Sequence, residues 1–308
     1  MQKNVVSIQH TAEDKSSDNN KKSAIKNRVV ACIDGSHFNT VVCDYACWIS
    51  SKVGAPLKLL HSNEQHSVPS ASAFSGSIGL GNREHLLEEF TAIEQERSKL
   101  LVASGWEILN HAKERAIAAG IEDIIIQQRH GPFTSTLSEL EKNVRVVVMG
   151  IRGEDHEYEA DQISTHIETI VRTLHSPILI VNDEFQLPKK IMLAYDGSEP
   201  SEKALNMVAQ SLLFKDLPCY LVHVNNGIDD GDEILEYAAN KLRKSGLEVV
   251  AEEIKGKVVD ALCEYRASHD IDMTVMGAFR HTRVRNLLLG SFTEKMLART
   301  QKPLLLLR

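Results

Sequence analysis

The sequence is written twice. Arg28-Val-Val-Ala-Cys-Ile-Asp34-Gly35-Ser36 returns as Lys190-Ile-Met-Leu-Ala-Tyr-Asp196-Gly197-Ser198, and Leu59-Leu60-His61 returns as Leu221-Val222-His223. Val147-Val148-Met149-Gly150 returns as Thr274-Val275-Met276-Gly277, and Ser176-Pro177-Ile-Leu-Ile-Val181 as Lys302-Pro303-Leu-Leu-Leu-Leu307. The first two blocks recur 162 residues on (Asp34 to Asp196, His61 to His223) and the third 127 on (Gly150 to Gly277), so the first copy carries 35 extra residues in between. A period of domain size excludes a solenoid and points to two tandem domains. A length of 308 residues agrees with that count.

Each copy alternates short apolar runs with helical patterns. In the second, strands are expected at 190–194, 220–224, 248–254, 273–277 and 304–307. Between the first two, Ala204, Leu205, Val208, Ala209 and Leu212 recur at helical spacing behind a Ser198 cap with Pro200 in the first turn. Leu235, Ala238, Ala239 and Leu242 mark a second helix ahead of Gly246, and Val258, Ala261, Leu262 and Tyr265 a third. Strands separated by helices imply βαβ units. The fold class is therefore α/β: two repeats, each a five-stranded parallel open sheet with helices on both faces. The domains are read as 28–184 and 189–308, behind a disordered arm, 1–27.

Composition narrows the function classes. Hydrophobic residues at 43% and charged residues at 25% describe a soluble globular protein, and a net charge of −7 argues against a surface built for nucleic acid. The polar arm lacks a signal peptide's apolar core, and no apolar run is long enough for a bilayer. A cytoplasmic protein with no membrane partner is the expectation. Cys32, Cys43, Cys47, Cys219 and Cys263 form no C-x-x-C pair and read as reduced core thiols. Trp48 and Trp106 read as packing residues.

The extra residues of the first copy fall at about 63–105. Ser67 to Gly81 is expected as a Ser/Gly loop, and His85 to about Ala119 as a long helix. Gly76-Ser-Ile-Gly79-Leu-Gly81 follows no strand and lacks the glycine order of a dinucleotide fingerprint, so a lid or linker is the better reading.

The chemistry lies further on, in Met276-Gly277-Ala-Phe-Arg280-His-Thr-Arg-Val-Arg-Asn-Leu-Leu-Leu-Gly290-Ser291-Phe292-Thr293. The segment leaves a strand end, crosses a loop with Arg280, His281, Arg283 and Arg285, and restarts a helix at Ser291 with Glu294 three residues later. Glycine allows a ligand to approach the backbone, and the N–H groups of a helix start attract phosphate. Asp196 and His223-Val224 fall at neighbouring strand ends, where open α/β sheets bind ligands.

These residues resemble the universal stress protein family, in its tandem form, over about residues 27–308. The resemblance implies a Rossmann-type fold akin to the adenine nucleotide alpha-hydrolases. It also implies an adenine nucleotide, ATP or AMP, as the ligand, with Mg²⁺ or Mn²⁺ as an optional companion. The family motif G-x-x-G-x9-G-[ST] reads here G277-x-x-R280-x9-G290-S291. By this matching Ala194 and Val224 line the adenine. Asp196 lies by the ribose and any phosphate-bound metal, Met276 and Gly277 form the strand-end pair, and Gly290, Ser291 and Phe292 form the phosphate turn. Arg280 replaces a glycine, adding a bidentate phosphate donor together with bulk. The resemblance further implies that the halves meet through their last strands, 178–181 against 304–307, and leaves open a homodimer of the whole chain.

The first copy keeps Asp34, Met149-Gly150 and Gly153, but Ser164-Thr165 stands in place of Gly290-Ser291. Glu154, Asp155, Glu157, Glu159 and Asp161 surround that loop and would repel a polyanion unless metal neutralised them. The second half is thus the expected nucleotide site. His61 and His223 read as residues satisfying a buried turn, and Ser36 and Ser198 as helix caps without a base to activate them. No Walker lysine occurs. The expected function is a stress-response regulator that binds an adenine nucleotide with at most slow hydrolysis; the alternative is a nucleotide-free interaction protein.

Overall fold

The computed structural model describes residues 27–63, 80–151, 165–182, 184–225, 231–278 and 291–308. In the first half the order is β1 (Arg28–Cys32), α1 (Asn39–Val53), β2 (Leu57–Asn63), α2 (Leu80–Ala118), β3 (Ile124–His130), α3 (Phe133–Leu140), β4 (Val144–Gly150), α4 (Thr165–Thr173) and β5 (Ile178–Val181). The second half repeats it with β6 (Ile191–Ala194), α5 (Glu199–Gln210), β7 (Cys219–Asn225), α6 (Gly231–Lys244), β8 (Val249–Lys255), α7 (Val258–Ser268), β9 (Met273–Gly277), α8 (Ser291–Arg299) and β10 (Leu304–Leu307). Both copies are the α/β units that the alternating pattern predicts.

All the strands join one ten-stranded sheet, β3-β2-β1-β4-β5-β10-β9-β6-β7-β8. Neighbours are parallel except at the centre, where β10 runs antiparallel to β5 with Leu304 opposite Ile180 and Leu306 opposite Ile178. Every residue of β5 and β10 is buried, as two strands covered on both faces require. Around this seam Tyr45 donates its hydroxyl to the Gln186 carbonyl at 3.1 Å and meets the Phe185 ring edge-on at 4.7 Å. Ile49 and Val53 of α1 line a small cavity with Met207 and Leu213 from the other half.

Local signals explain the ends of α5. Ser198 accepts the Ser201 N–H at 3.4 Å, with Pro200 in the first turn, as read from sequence. Helix α2 departs from expectation. It begins at Leu80 and takes in Gly81, because the first N–H groups of a helix need no intrahelical partner and a glycine there costs little. Gly76 to Gly79 lie outside the described residues. Leu109, Ala112 and Ala116 seat the second part of α2 on the sheet. Trp106, expected to pack, is 40% exposed on the outer side of this helix, whereas Trp48 is buried. Cys32, Cys43, Cys47 and Cys219 are buried free thiols. No described helix is long and apolar enough to cross a membrane.

Candidate functional site at the strand ends of the second half

β6 ends between β7 and β9, with Ala194 beside Val222 on one flank and Met276 on the other. This is the point where strand order reverses, the place beyond the carboxyl ends where open α/β sheets bind ligands. Ala194, Asp196, Val224 and Gly277 are all half-buried there. Met276 is 1% exposed, so its side chain belongs to the core beneath.

Asp196 opens the turn after β6. Its Oδ1 accepts the Ser198 N–H at 3.1 Å, an Asx turn that aims the following residues into α5. Gly277 has a specific steric reason. A Cβ there would stand 2.5 Å from the Pro200 carbonyl carbon and 2.6 Å from the Ser201 nitrogen. The space its missing side chain leaves is thus filled by the first turn of α5, not held open for a ligand.

α8 begins at Ser291, with Glu294 in its first turn and Phe292 packed half-buried on the core. Thr293 is 1% exposed, and its buried Oγ1 has no partner. Arg280 and Gly290 lie outside the described residues. So do 152–164, with the acidic loop, Gly153 and Ser164.

The paired histidines separate the two halves. His223 is 2% exposed; its Nδ1 faces the Tyr195 carbonyl at 3.0 Å while its buried Nε2 has no partner. His61 uses both ring nitrogens, Nδ1 on the Ile33 carbonyl and Nε2 on Asn63 Oδ1, each at 2.6 Å. The turn after β1 is also closed on itself. Asp34 accepts both the backbone N–H of Ser36, at 3.0 Å, and its hydroxyl, at 2.7 Å. Asn39 Oδ1 takes the backbone N–H groups of Asp34 and Gly35. Burial raises the Asp34 carboxyl above its usual range despite the Ser36 hydrogen bonds. Ser201 occupies the place of Asn39 in the second half and bonds instead to Ser198.

One network was not visible from motif spacing. Glu202 of α5 accepts the Tyr195 hydroxyl at 2.7 Å, Lys241 Nζ at 2.5 Å and the Tyr237 hydroxyl at 3.3 Å. It fastens α5 and α6 to the end of β6. Burial alone would raise the Glu202 pKa, but the Lys241 and Tyr195 hydrogen bonds hold it below the usual carboxylate value. Among the described residues, no group of three or more His, Cys, Asp or Glu is arranged to hold a metal.

The Universal stress protein family profile matches residues 26–182 and again 188–308. Universal stress protein Slr1230 of Synechocystis sp. is 33% identical over 285 residues, spanning 91% of this chain and 99% of the relative. Universal stress protein YxiE of Bacillus subtilis is 30% identical over 128 residues, 41% of this chain and 80% of the relative. A solved universal stress protein from Archaeoglobus fulgidus DSM 4304 shares the fold at a TM-score of 0.68 and 17% identity, over 92% of this chain and 96% of its own. Matched once by each half and along almost its whole length by a relative, the chain belongs to the universal stress protein family as a tandem member.

Proposed function

We propose that the second half binds an adenine nucleotide, ATP or AMP, and that the protein acts as a stress-response regulator with little or no catalysis. The observation that carries this reading is the convergence of Ala194, Asp196 and Val224 at the strand-order reversal. The start of α8, where an anion is favoured, follows β9 in the same half. Val224 and Ala194 would flank the base. Asp196 would receive the ribose, and Gly290, Ser291 and Phe292 would hold the phosphates with Arg280. Two buried polar atoms without partners, His223 Nε2 and Thr293 Oγ1, are available to a ligand in the second half, whereas the first half's Asp34 and His61 are already bonded within their own turn. A Mg²⁺ or Mn²⁺ ion would reach Asp196 only in company with phosphate oxygens, because the described residues build no metal centre alone. The two turn serines serve as cap and Asx partner, and among the described residues no histidine is bonded to either hydroxyl.

A second reading, a nucleotide-free interaction protein, draws on Gly277, whose empty side-chain space is taken up by Pro200 and Ser201. Mass spectrometry of the purified protein for a retained nucleotide decides first. A thermal-shift series with ATP, AMP and Mg²⁺ on the full chain then follows, since a ligand of the native state raises the melting temperature. A rise in the wild type that is lost in Asp196→Ala supports the nucleotide reading; no rise at millimolar ATP supports the other.

A further inference from the structure

The two ends of the ten-stranded sheet are finished differently. Among the described residues β3 pairs only with β2, and β8 only with β7. An open strand edge accepts another strand unless charge, proline or a covering element blocks it. β8 carries Glu252 and Glu253 in its middle and Lys255 at its end. The matching stretch of β3, Ile124-Ile-Ile-Gln-Gln128, has no charge and no proline. Its two amides face inward: Gln127 Oε1 accepts Lys58 Nζ at 2.6 Å, and Gln128 Nε2 donates to the Val102 carbonyl at 3.2 Å.

The backbone of β3 presents a usable edge. The Asp123 carbonyl accepts the Leu57 N–H at 2.9 Å, and the Gly131 N–H donates to the Asn63 carbonyl at 3.0 Å, so odd-numbered residues turn toward β2. Strand alternation then turns the N–H and C=O groups of Ile124, Ile126 and Gln128 to the open side.

The charges around that edge are complementary to themselves. Glu122 and Asp123 stand just before the strand and Arg129 and His130 close it, all four exposed. An antiparallel pairing of β3 with its own copy, centred on Ile126, sets Asp123 opposite Arg129 and Glu122 opposite His130. It leaves Ile124 against Gln128 and Ile126 against itself, with outward backbone groups facing each other at each of these pairs. Centring one residue either way sets Arg129 against Ile125 or Ile121 and loses both charge pairs. For β8, the same centre at Ala251 sets Glu252 against Val250 and Lys255 against Leu247, with no opposite charges meeting.

Helix α2 adds an apolar flank above the same edge. Arg115 of α2 donates to Asp44 of α1 at 2.6 Å, and α1 packs over β1 and β4, toward the centre of the sheet. At about 100° per residue, Trp106 and Ile117 lie on the side of α2 opposite Arg115, away from α1 and toward the open side of β3. Both are exposed, at 40% and 55%.

We propose that two copies of this chain pair through β3, antiparallel about a two-fold axis at Ile126, into one continuous sheet. The axis stands perpendicular to the sheet, so α2 of each copy lies on the same face and the Trp106 and Ile117 flanks turn toward each other. The pairing is independent of nucleotide binding.

The test is analytical ultracentrifugation of the full chain across a concentration series, repeated on Asp123→Arg, on Arg129→Glu and on the double variant. The wild type should sediment as a dimer. Each single reversal brings like charges together twice by symmetry and should weaken the dimer at least tenfold, and the double reversal should restore it. Should either reversal fail to fold, Trp106→Glu, an exposed change on α2, should weaken the dimer in its place. A wild type that stays monomeric, a dimer untouched by the single reversals, or a double variant that fails to regain the dimer would overturn the proposal.

Discussion

Gly105 of α2 lies so close to His61 that a Cβ there would come within 2.6 Å of the ring Cδ2, and within 2.4 Å of Gln128 Nε2. Gly231 of α6 stands in the same relation to His223 and Glu253, with the ring Cδ2 at 2.9 Å. Both helices thus descend onto a strand-end histidine through a glycine. The costs of filling these places differ. His61 is pinned by two hydrogen bonds and Gln128 is bonded to the Val102 carbonyl, so Gly105→Ala should destabilise by about 1–3 kcal/mol. At Gly231 the nearest atom is the end of the Glu253 carboxylate, which must give up its 2.9 Å bond from Asn225 Nδ2 to swing aside, so Gly231→Ala should cost about 1 kcal/mol. Urea denaturation of both variants checks the contrast.

Gly277→Ala tests packing against ligand approach. Its Cβ would meet the backbone of Pro200 and Ser201, which cannot rotate away, so the variant should lose about 2–3 kcal/mol without any ligand present. Asp196→Ala should leave the apo melting temperature within a few degrees, about 2–4 °C per kcal/mol in a chain this long, while removing any ATP-dependent rise. Scanning calorimetry with and without nucleotide separates the two.

Lys58 gives a pH dependence of defined sign. Its folded pKa lies below the unfolded value, so between the two the unfolded chain binds more protons and stability rises with pH. Lys58→Met should therefore be more stable than the wild type at pH 7, and the difference should shrink as pH climbs toward about 10.4, the unfolded lysine value. Chemical denaturation at pH 7, 8.5 and 10 measures it.

Glu202 behaves oppositely. Its folded pKa is depressed, so its contribution is present above the unfolded value and fades as pH falls through the folded one. Glu202→Gln should cost about 1–2 kcal/mol at neutral pH, since its charge-assisted bond to Lys241 weakens, and almost nothing near pH 3. Denaturation at the two pH values gives the answer.

The strands were readable because a doubly covered strand is a continuous apolar run; Met273–Gly277 and Leu304–Leu307 fall where periodicity put them. The start of α2 was not, because Gly79-Leu-Gly81 reads as a loop by propensity while a helix end tolerates glycine. Trp106 misled because helical spacing alone does not say which face of a helix turns away from the sheet. At the candidate site, the repeat puts Ala194 and Asp196 at a strand end, and the family resemblance alone suggests their roles. The packing role of Gly277 required knowing where α5 turns, and the buried Lys58–Gln127 bond required the β2–β3 register.

The antiparallel seam between Ile178–Val181 and Leu304–Leu307 has a geometric consequence. Reversing direction at the centre points the carboxyl termini of the left-hand strands north and those of the right-hand strands south. The molecule is a slab whose two strand-end edges face away from each other, and a single small molecule cannot touch both. A ligand at one edge could reach the other only through the shared slab itself.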